Sequence, residues 1–111
     1  MDAAVHRDVD AFGEQLHGGR REAHVEDGVG HSLAGRPLRG FVVGPAAKSN
    51  YVFVIGRQHP PEITGSLGLM SFVDTLTGRS RLARKFRREF QTVVIPLVNP
   101  DGVERGHWRS N

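Results

Sequence analysis

Residues 51–62 read Tyr51-Val52-Phe53-Val54-Ile55-Gly56-Arg57-Gln58-His59-Pro60-Pro61-Glu62, and the architecture of the chain turns on them. Five consecutive apolar residues, β-branched or aromatic, predict a short strand. The lack of any polar alternation predicts that this strand is buried on both faces of a sheet, with helices as neighbours. Glycine and two prolines then redirect the backbone. Proline suits the first turn of a helix, where its missing N–H would have had no partner, so Glu62 is expected within that turn and His59 just ahead of it. From Glu62 to Thr77 no further proline occurs, and Ile63, Leu67, Leu69, Met70, Phe72, Val73 and Leu76 point around most of the circumference. That predicts a buried rather than surface-lying helix over 62–77. Gly78 is its expected C-terminal cap, and Gly65 and Gly68 are expected to allow close packing on the sheet.

The flanking segments carry the same layered pattern outward. Ser80 is placed to cap a second helix over 81–89, with Leu82 and Phe86 four residues apart. A strand is predicted over 92–98, ended by the turn Asn99-Pro100-Asp101-Gly102. Upstream, 37–44 reads as a strand, separated from Tyr51–Ile55 by the turn-rich segment 45–50. Alternation of Ala23, Val25 and Asp27 suggests an edge strand within 20–30. Val5, Val9, Phe12 and Leu16 recur at helical spacing before Gly18-Gly19. Strand, strand, helix, helix, strand implies an α/β layered arrangement, with 1–29 a weakly patterned segment and 30–111 the patterned part.

The chain has 111 residues, 38% of them hydrophobic, which suits a single folded domain and not a disordered one. The absence of cysteine excludes a disulfide scaffold, a thiolate metal site and a cysteine nucleophile. No apolar run approaches the roughly 20 residues of a membrane-spanning helix. The start, Met1 to Asp8, lacks the basic and apolar parts of a secretory signal. A cytoplasmic protein with no membrane partner is the expectation. The formal charge is +3, and Arg79, Arg81, Arg84, Lys85, Arg87 and Arg88 fall within ten residues. Arg81, Arg84, Lys85 and Arg88 share one helical face, as a phosphate-tracking surface would require. No aromatic residues interleave with them, so a solvated face is expected and nucleic acid is not an expected partner.

The chemistry concentrates at Gly56-Arg57-Gln58-His59-Pro60-Pro61-Glu62. Ligands in α/β folds bind at the carboxyl ends of strands, and this segment leaves such an end. An imidazole and a carboxylate three residues apart can converge on one cation, and zinc accepts nitrogen and oxygen ligands. Spacing alone is a weak signal, because about 0.3 such pairs are expected by chance in this composition. A capping histidine with a solvated glutamate has the same spacing. His6, His17, His24 and His31 have no partners at ligand spacing. Ser66, in Gly65-Ser66-Leu67-Gly68, is not in a nucleophile-elbow context.

The ordered set of Gly35-Arg36-Pro37-Leu38, the His59-Pro60-Pro61-Glu62 loop, Asn99-Pro100-Asp101-Gly102-Val103 and Gly106-His107-Trp108-Arg109-Ser110-Asn111 resembles the zinc metallocarboxypeptidases. It looks most like the cytosolic-carboxypeptidase branch and its bacterial relatives, from about Gly30 to Asn111. The resemblance implies a partial three-layer α/β/α sandwich with a mixed sheet. It implies a zinc cofactor, with His59 and Glu62 as the first two metal ligands. Arg109 would polarise the scissile carbonyl and stabilise the oxyanion, a role that suits a permanently charged fork of donors. Arg57 and Gln58 would support the loop, and 99–102 would position the segment leading to Arg109. Trp108 would pack under Arg109 or plug the core edge, and His107 is not expected to be a ligand.

The family pattern also contains a third zinc ligand, a general-base glutamate and an Asn-Arg pair for the substrate carboxylate, all beyond Asn111. The chain is therefore expected to be the N-terminal part of a catalytic domain that hydrolyses C-terminal peptide bonds, with peptide or protein tails as partners and negligible activity by itself. The alternative is a non-catalytic interaction remnant with a weak metal half-site. In either case the edge of Tyr51–Ile55 is expected to be uncovered and to invite self-association.

Overall fold

The computed structural model describes residues 23–45 and 50–109, with seven elements. These are β1 (Ala23–His31), β2 (Pro37–Val43), β3 (Tyr51–Ile55), α1 (Ile63–Leu76), α2 (Arg81–Glu89), β4 (Gln91–Ile95) and α3 (Pro100–Arg105). The helix expected through Val5, Val9, Phe12 and Leu16 lies outside the described residues. The strands form one mixed sheet in the order β1-β2-β4-β3. β1 and β2 are antiparallel, as are β2 and β4, whereas β3 and β4 run parallel with Tyr51 opposite Gln91 and Ile55 opposite Ile95. Parallel neighbours need a crossover, which α1 and α2 supply. The fold is thus α/β with a mixed sheet, and β1, which the weak alternation around Val25 suggested, is an edge strand among the described residues.

The core lies between the sheet and α1. Phe41 and Val43 from β2, Val94 from β4, and Leu69, Val73 and Leu76 from α1 form a buried cluster with Leu97, against which Val54, Met70, Phe86 and Val103 pack. Two expectations of burial are corrected here. Tyr51, Phe53 and Ile55 are 52%, 69% and 45% exposed, so β3 is half-buried on the face of Val52 and Val54 and exposed on the other. It is an edge strand among the described residues, and the helices cover the face bearing Val54. Helix α1 is likewise not buried all round: Ser66, Leu69, Val73 and Leu76 form its inward stripe, while Ile63, Leu67 and Phe72 are exposed. Gly65 and Gly68 lie off that stripe and have nothing near their missing Cβ positions, so they do not mediate close packing.

The caps explain where the helices stop and start. Ser80 accepts a hydrogen bond from the Ala83 amide at 3.1 Å, as expected of an N-cap. At the end of α1 the cap is Thr77, not Gly78; its hydroxyl donates back to the Val73 carbonyl at 2.8 Å. On α2 the inward positions are Ala83, Arg87 and the half-buried Phe86, while Leu82, four residues before Phe86, is exposed. Arg81, Arg84, Lys85 and Arg88 are all exposed, as a solvated face requires. Strand β4 stops at Ile95, before Pro96, and the turn expected at 99–102 is instead the first turn of α3. Asn99 is the N-cap, Pro100 occupies the first turn, and Gly106 closes the helix at φ 68°.

Candidate metal centre

The loop after β3 begins as an extension of the sheet. The Gly56 amide donates to the Ile95 carbonyl at 2.9 Å, and its own carbonyl accepts from the Val98 amide at 3.0 Å. A Cβ at Gly56 would sit 2.9 Å from the Pro96 oxygen, so the close passage of two backbones requires glycine there. The chain then turns through Arg57, a non-glycine residue at φ 54°. Left-handed backbone costs about 1–2 kcal/mol for an L-residue with a Cβ. The buried Arg57 guanidinium folds back across the loop, donating from Nε at 3.0 Å and Nη2 at 2.7 Å to the Pro60 carbonyl.

The two prolines leave His59 and Glu62 facing one another. His59 Nδ1 lies 2.7 Å from Glu62 Oε1, with both side chains about half exposed. Glu62 occupies the N-cap position of α1, not its first turn, and its carboxylate does not cap the helix; it turns to the imidazole instead. The hydrogen bond from His59 is the main cause holding the Glu62 carboxyl below its ordinary range, and the Arg109 guanidinium adds a smaller pull in the same direction. An ionised carboxylate is the state in which such a side chain ligates a metal.

Arg109 therefore lies within electrostatic reach of the pair and is itself exposed. Its approach is set by α3, whose start is fastened at two points. Asn99 accepts from the Gly102 amide at 3.0 Å through its side-chain oxygen, and its Nδ2 donates to the Gln58 carbonyl at 3.0 Å. One residue into the helix, buried Asp101 accepts from Ser32 Oγ at 2.7 Å, the Ala34 amide at 3.1 Å and Arg36 Nη1 at 2.8 Å. Sequence reasoning assigned 99–102 a positioning role but did not pair Asp101 with the turn 32–36. The signal was there in the Ser32-to-Arg36 spacing, since the Ser32 hydroxyl also accepts from the Arg36 amide, a local turn that gathers donors toward one point.

These donors lower the Asp101 pKa from 3.8 to about 2, with the Ser32 hydrogen bond the largest cause. A carboxyl depressed in the folded state stabilises the fold above its unfolded pKa and loses that contribution as pH falls through the folded value. Stability carried by Asp101 is thus intact at pH 5 and disappears between roughly pH 4 and pH 2. Thermal melts across that interval should show a steep decline that Asp101→Asn flattens. Equal slopes for both proteins would contradict the assignment.

Trp108 is 74% exposed, so it plugs no core edge, and His107 is exposed as well. Among the described residues no group of three or more His, Cys, Asp or Glu could hold a metal ion. The centre is a pair of convergent donors with a cation near it. No helix among those residues is long and apolar enough to cross a membrane.

Comparison with known proteins bears on the family and the fold. The sequence profile of the zinc carboxypeptidase family matches residues 22–111. The chain is 35% identical over 92 residues to the human cytosolic carboxypeptidase-like protein 5, a match covering 82% of this chain and 10% of that protein. It is 32% identical over 92 residues to an uncharacterised protein of Zymomonas mobilis, covering 78% of this chain and 24% of the other. Among solved structures, a metallo-carboxypeptidase from Burkholderia cenocepacia superposes with a TM-score of 0.77 at 29% identity, over 93% of this chain and 29% of that one. The chain thus spans less than a third of the length of each of these relatives.

Proposed function

Because the chain belongs to the zinc carboxypeptidase family, we propose that His59 and Glu62 are two ligands of a zinc ion and that Arg109 is the cation set beside it, in a domain that hydrolyses C-terminal peptide bonds. The observation that carries this reading is the 2.7 Å approach of His59 Nδ1 to Glu62 Oε1. An imidazole nitrogen and a carboxylate oxygen are ordinary zinc donors. Here both side chains turn toward each other from a proline-stiffened loop, so the donor set fits the metal. When bound, zinc supplies Lewis acidity toward a carbonyl oxygen or a water molecule.

The rest is done by the chain's own groups. His59 Nδ1, which donates to Glu62 in the metal-free chain, would offer its lone pair to the metal once that proton has moved to Nε2 or left, and Glu62 offers a carboxylate that its partners hold ionised to lower pH. Arg109 presents a delocalised, permanently charged fork to a developing negative oxygen. The resemblance assigns a third ligand, a general base and a carboxylate anchor to parts of the domain that this chain does not contain. The whole domain would act on peptide or protein C-terminal tails, acidic ones included, and a second layer of helices would cover the exposed face of β3. The word cytosolic in the names of several relatives supports a cytoplasmic setting.

The 111-residue chain alone is then a half-site with little activity. Calorimetric titration is expected to show one zinc per chain, with binding lost in His59→Ala and Glu62→Gln. Peptides incubated with the zinc-loaded chain should release no C-terminal amino acid above metal-free controls. A chain that ignores zinc refutes the ligand assignment, and one that hydrolyses refutes the incompleteness. The lack of a third donor among the described residues favours a second reading for the isolated chain, a non-catalytic interaction module. The β3 edge, unpaired among the described residues, is the surface it would use, and sedimentation should show concentration-dependent association. A monomer at all concentrations removes that reading.

A further inference from the structure

The loop that presents His59 and Glu62 has three consecutive carbonyls, and each of them is taken. Gln58 accepts from Asn99 Nδ2 at 3.0 Å, His59 from the Glu62 amide at 3.1 Å, and Pro60 from both Arg57 Nε and Nη2. We infer that Asn99 and Arg57 are positioning residues for the ligand loop, clamping the carbonyls on either side of His59 so that its Nδ1 and Glu62 Oε1 stay aimed at one point. The inference rests on the half-site reading above and assigns to these two side chains the pre-organisation of that site.

The prolines fix φ at 60 and 61 but contribute no N–H groups. Nothing within the Pro60-Pro61 dipeptide itself can therefore hold the peptide planes around His59. Rotation about those planes swings the imidazole away from Glu62. The clamp supplies what the dipeptide lacks, from two directions. Arg57 reaches the Pro60 carbonyl from within the loop, and Asn99 reaches the Gln58 carbonyl from 41 residues further along the chain. Both side chains are buried, at 9% and 7% exposure, so water competes little for these bonds.

Two details point to side-chain function at these positions. A left-handed turn at residue 57 is met most cheaply by glycine or asparagine. Arginine there retains strain, and what it gains is the guanidinium fork across the loop. Asn99, for its part, uses both ends of its amide: the oxygen caps α3 at the Gly102 amide while the nitrogen holds the ligand loop. Serine would cap the helix equally well, but one short hydroxyl in place of a two-ended amide cannot also reach Gln58, and aspartate has no donor at all. Asn99 thereby joins the metal loop to the segment that leads to Arg109.

The test separates the two bonds of Asn99. Asn99→Ser keeps the helix cap and loses the donor to Gln58; Arg57→Lys keeps charge and length and loses the fork. Three measurements are made on the whole chain: zinc affinity by calorimetry with a competing chelator, hydrogen exchange of the Glu62 amide in the zinc-free protein by NMR, and the melting temperature. Outer partners of metal ligands typically control affinity by about 10–100-fold. Each variant is expected to bind zinc at least about tenfold more weakly and to exchange the Glu62 amide about tenfold faster, while Asn99→Ser melts close to wild type. Unchanged affinity and exchange in both variants overturn the inference. So does a loss of affinity accompanied by an equal loss of global stability, because that would be a structural role only. If the wild-type chain takes up no zinc, the ligand assignment fails, and the exchange rates still decide whether the clamp holds the loop.

Discussion

Phe41→Ala is expected to cost about 3–5 kcal/mol, the range for deleting a buried aromatic ring, and to leave much of the chain unfolded at 25 °C. A domain of this size holds only about 5–15 kcal/mol in total, and this one starts from a thin core. Phe41 is fully buried, in the middle of β2, with Val25 opposite it on β1 and Val94 on β4. Its ring packs in the single cluster between sheet and helix α1, which also holds Val43, Leu69, Val73, Leu76 and Leu97. No second cluster in the described residues can compensate. The matched control is Phe53→Ala on β3, where the ring is 69% exposed and the expected change is within about 0.5 kcal/mol. Urea denaturation of the two variants reads the difference directly. A cost below about 1 kcal/mol for Phe41 would mean that the ring is not where the core is.

Phe41 and Phe53 also mark the limit of what the chain could tell by its sequence. Each lies in a short apolar run with neighbours of the same kind, and nothing local distinguishes the core ring from the exposed one. Strand existence was legible because β-branched runs bounded by glycine and proline have few other uses. Burial was not, because it depends on which face of the sheet the helices cover: Phe41 shares a face with Val94 and Val54 beneath α1, and Phe53 lies on the opposite face. The same blindness made α1 look buried all round. Its composition is apolar, while its packing uses only the stripe through Leu69, Val73 and Leu76.

The loop after β3 left two readings open in the sequence, convergence of His59 and Glu62 or a capping histidine beside a solvated glutamate. With the diproline between them the two side chains lie 2.7 Å apart. The support of that pair was not readable. The bond from Asn99 to Gln58 and the three bonds to Asp101 link residues 41 to 69 positions apart, and no periodicity records such distances. Motif resemblance named the segments; only their three-dimensional order shows that 32–36, 57–62 and 99–109 form one connected scaffold.

The basic block on α2 gives the second large effect, because one of its charges is not like the others. Arg87→Met is expected to destabilise the chain by about 2–4 kcal/mol, whereas Arg84→Met and Arg88→Met should each stay within about 0.5 kcal/mol. Arg87 is 8% exposed, and its Nη1 donates to the Leu76 carbonyl at 2.6 Å and to the Gly78 carbonyl at 2.8 Å. Leu76 is the last residue of α1, where carbonyls run out of intrahelical partners and the helix dipole is negative. A guanidinium meets both needs at once. Methionine fills a similar volume but leaves two acceptors without their charged donor, which is why the expected loss exceeds that of an ordinary hydrogen bond. The defect lies at the far end of α1 from His59 and Glu62, about 20 Å along a helix of 14 residues. Zinc affinity of the still-folded fraction is therefore expected to be unchanged in Arg87→Met, although its denaturation midpoint falls. If affinity falls in step with stability, the ligand loop depends on the whole helix and not on its local hydrogen bonds.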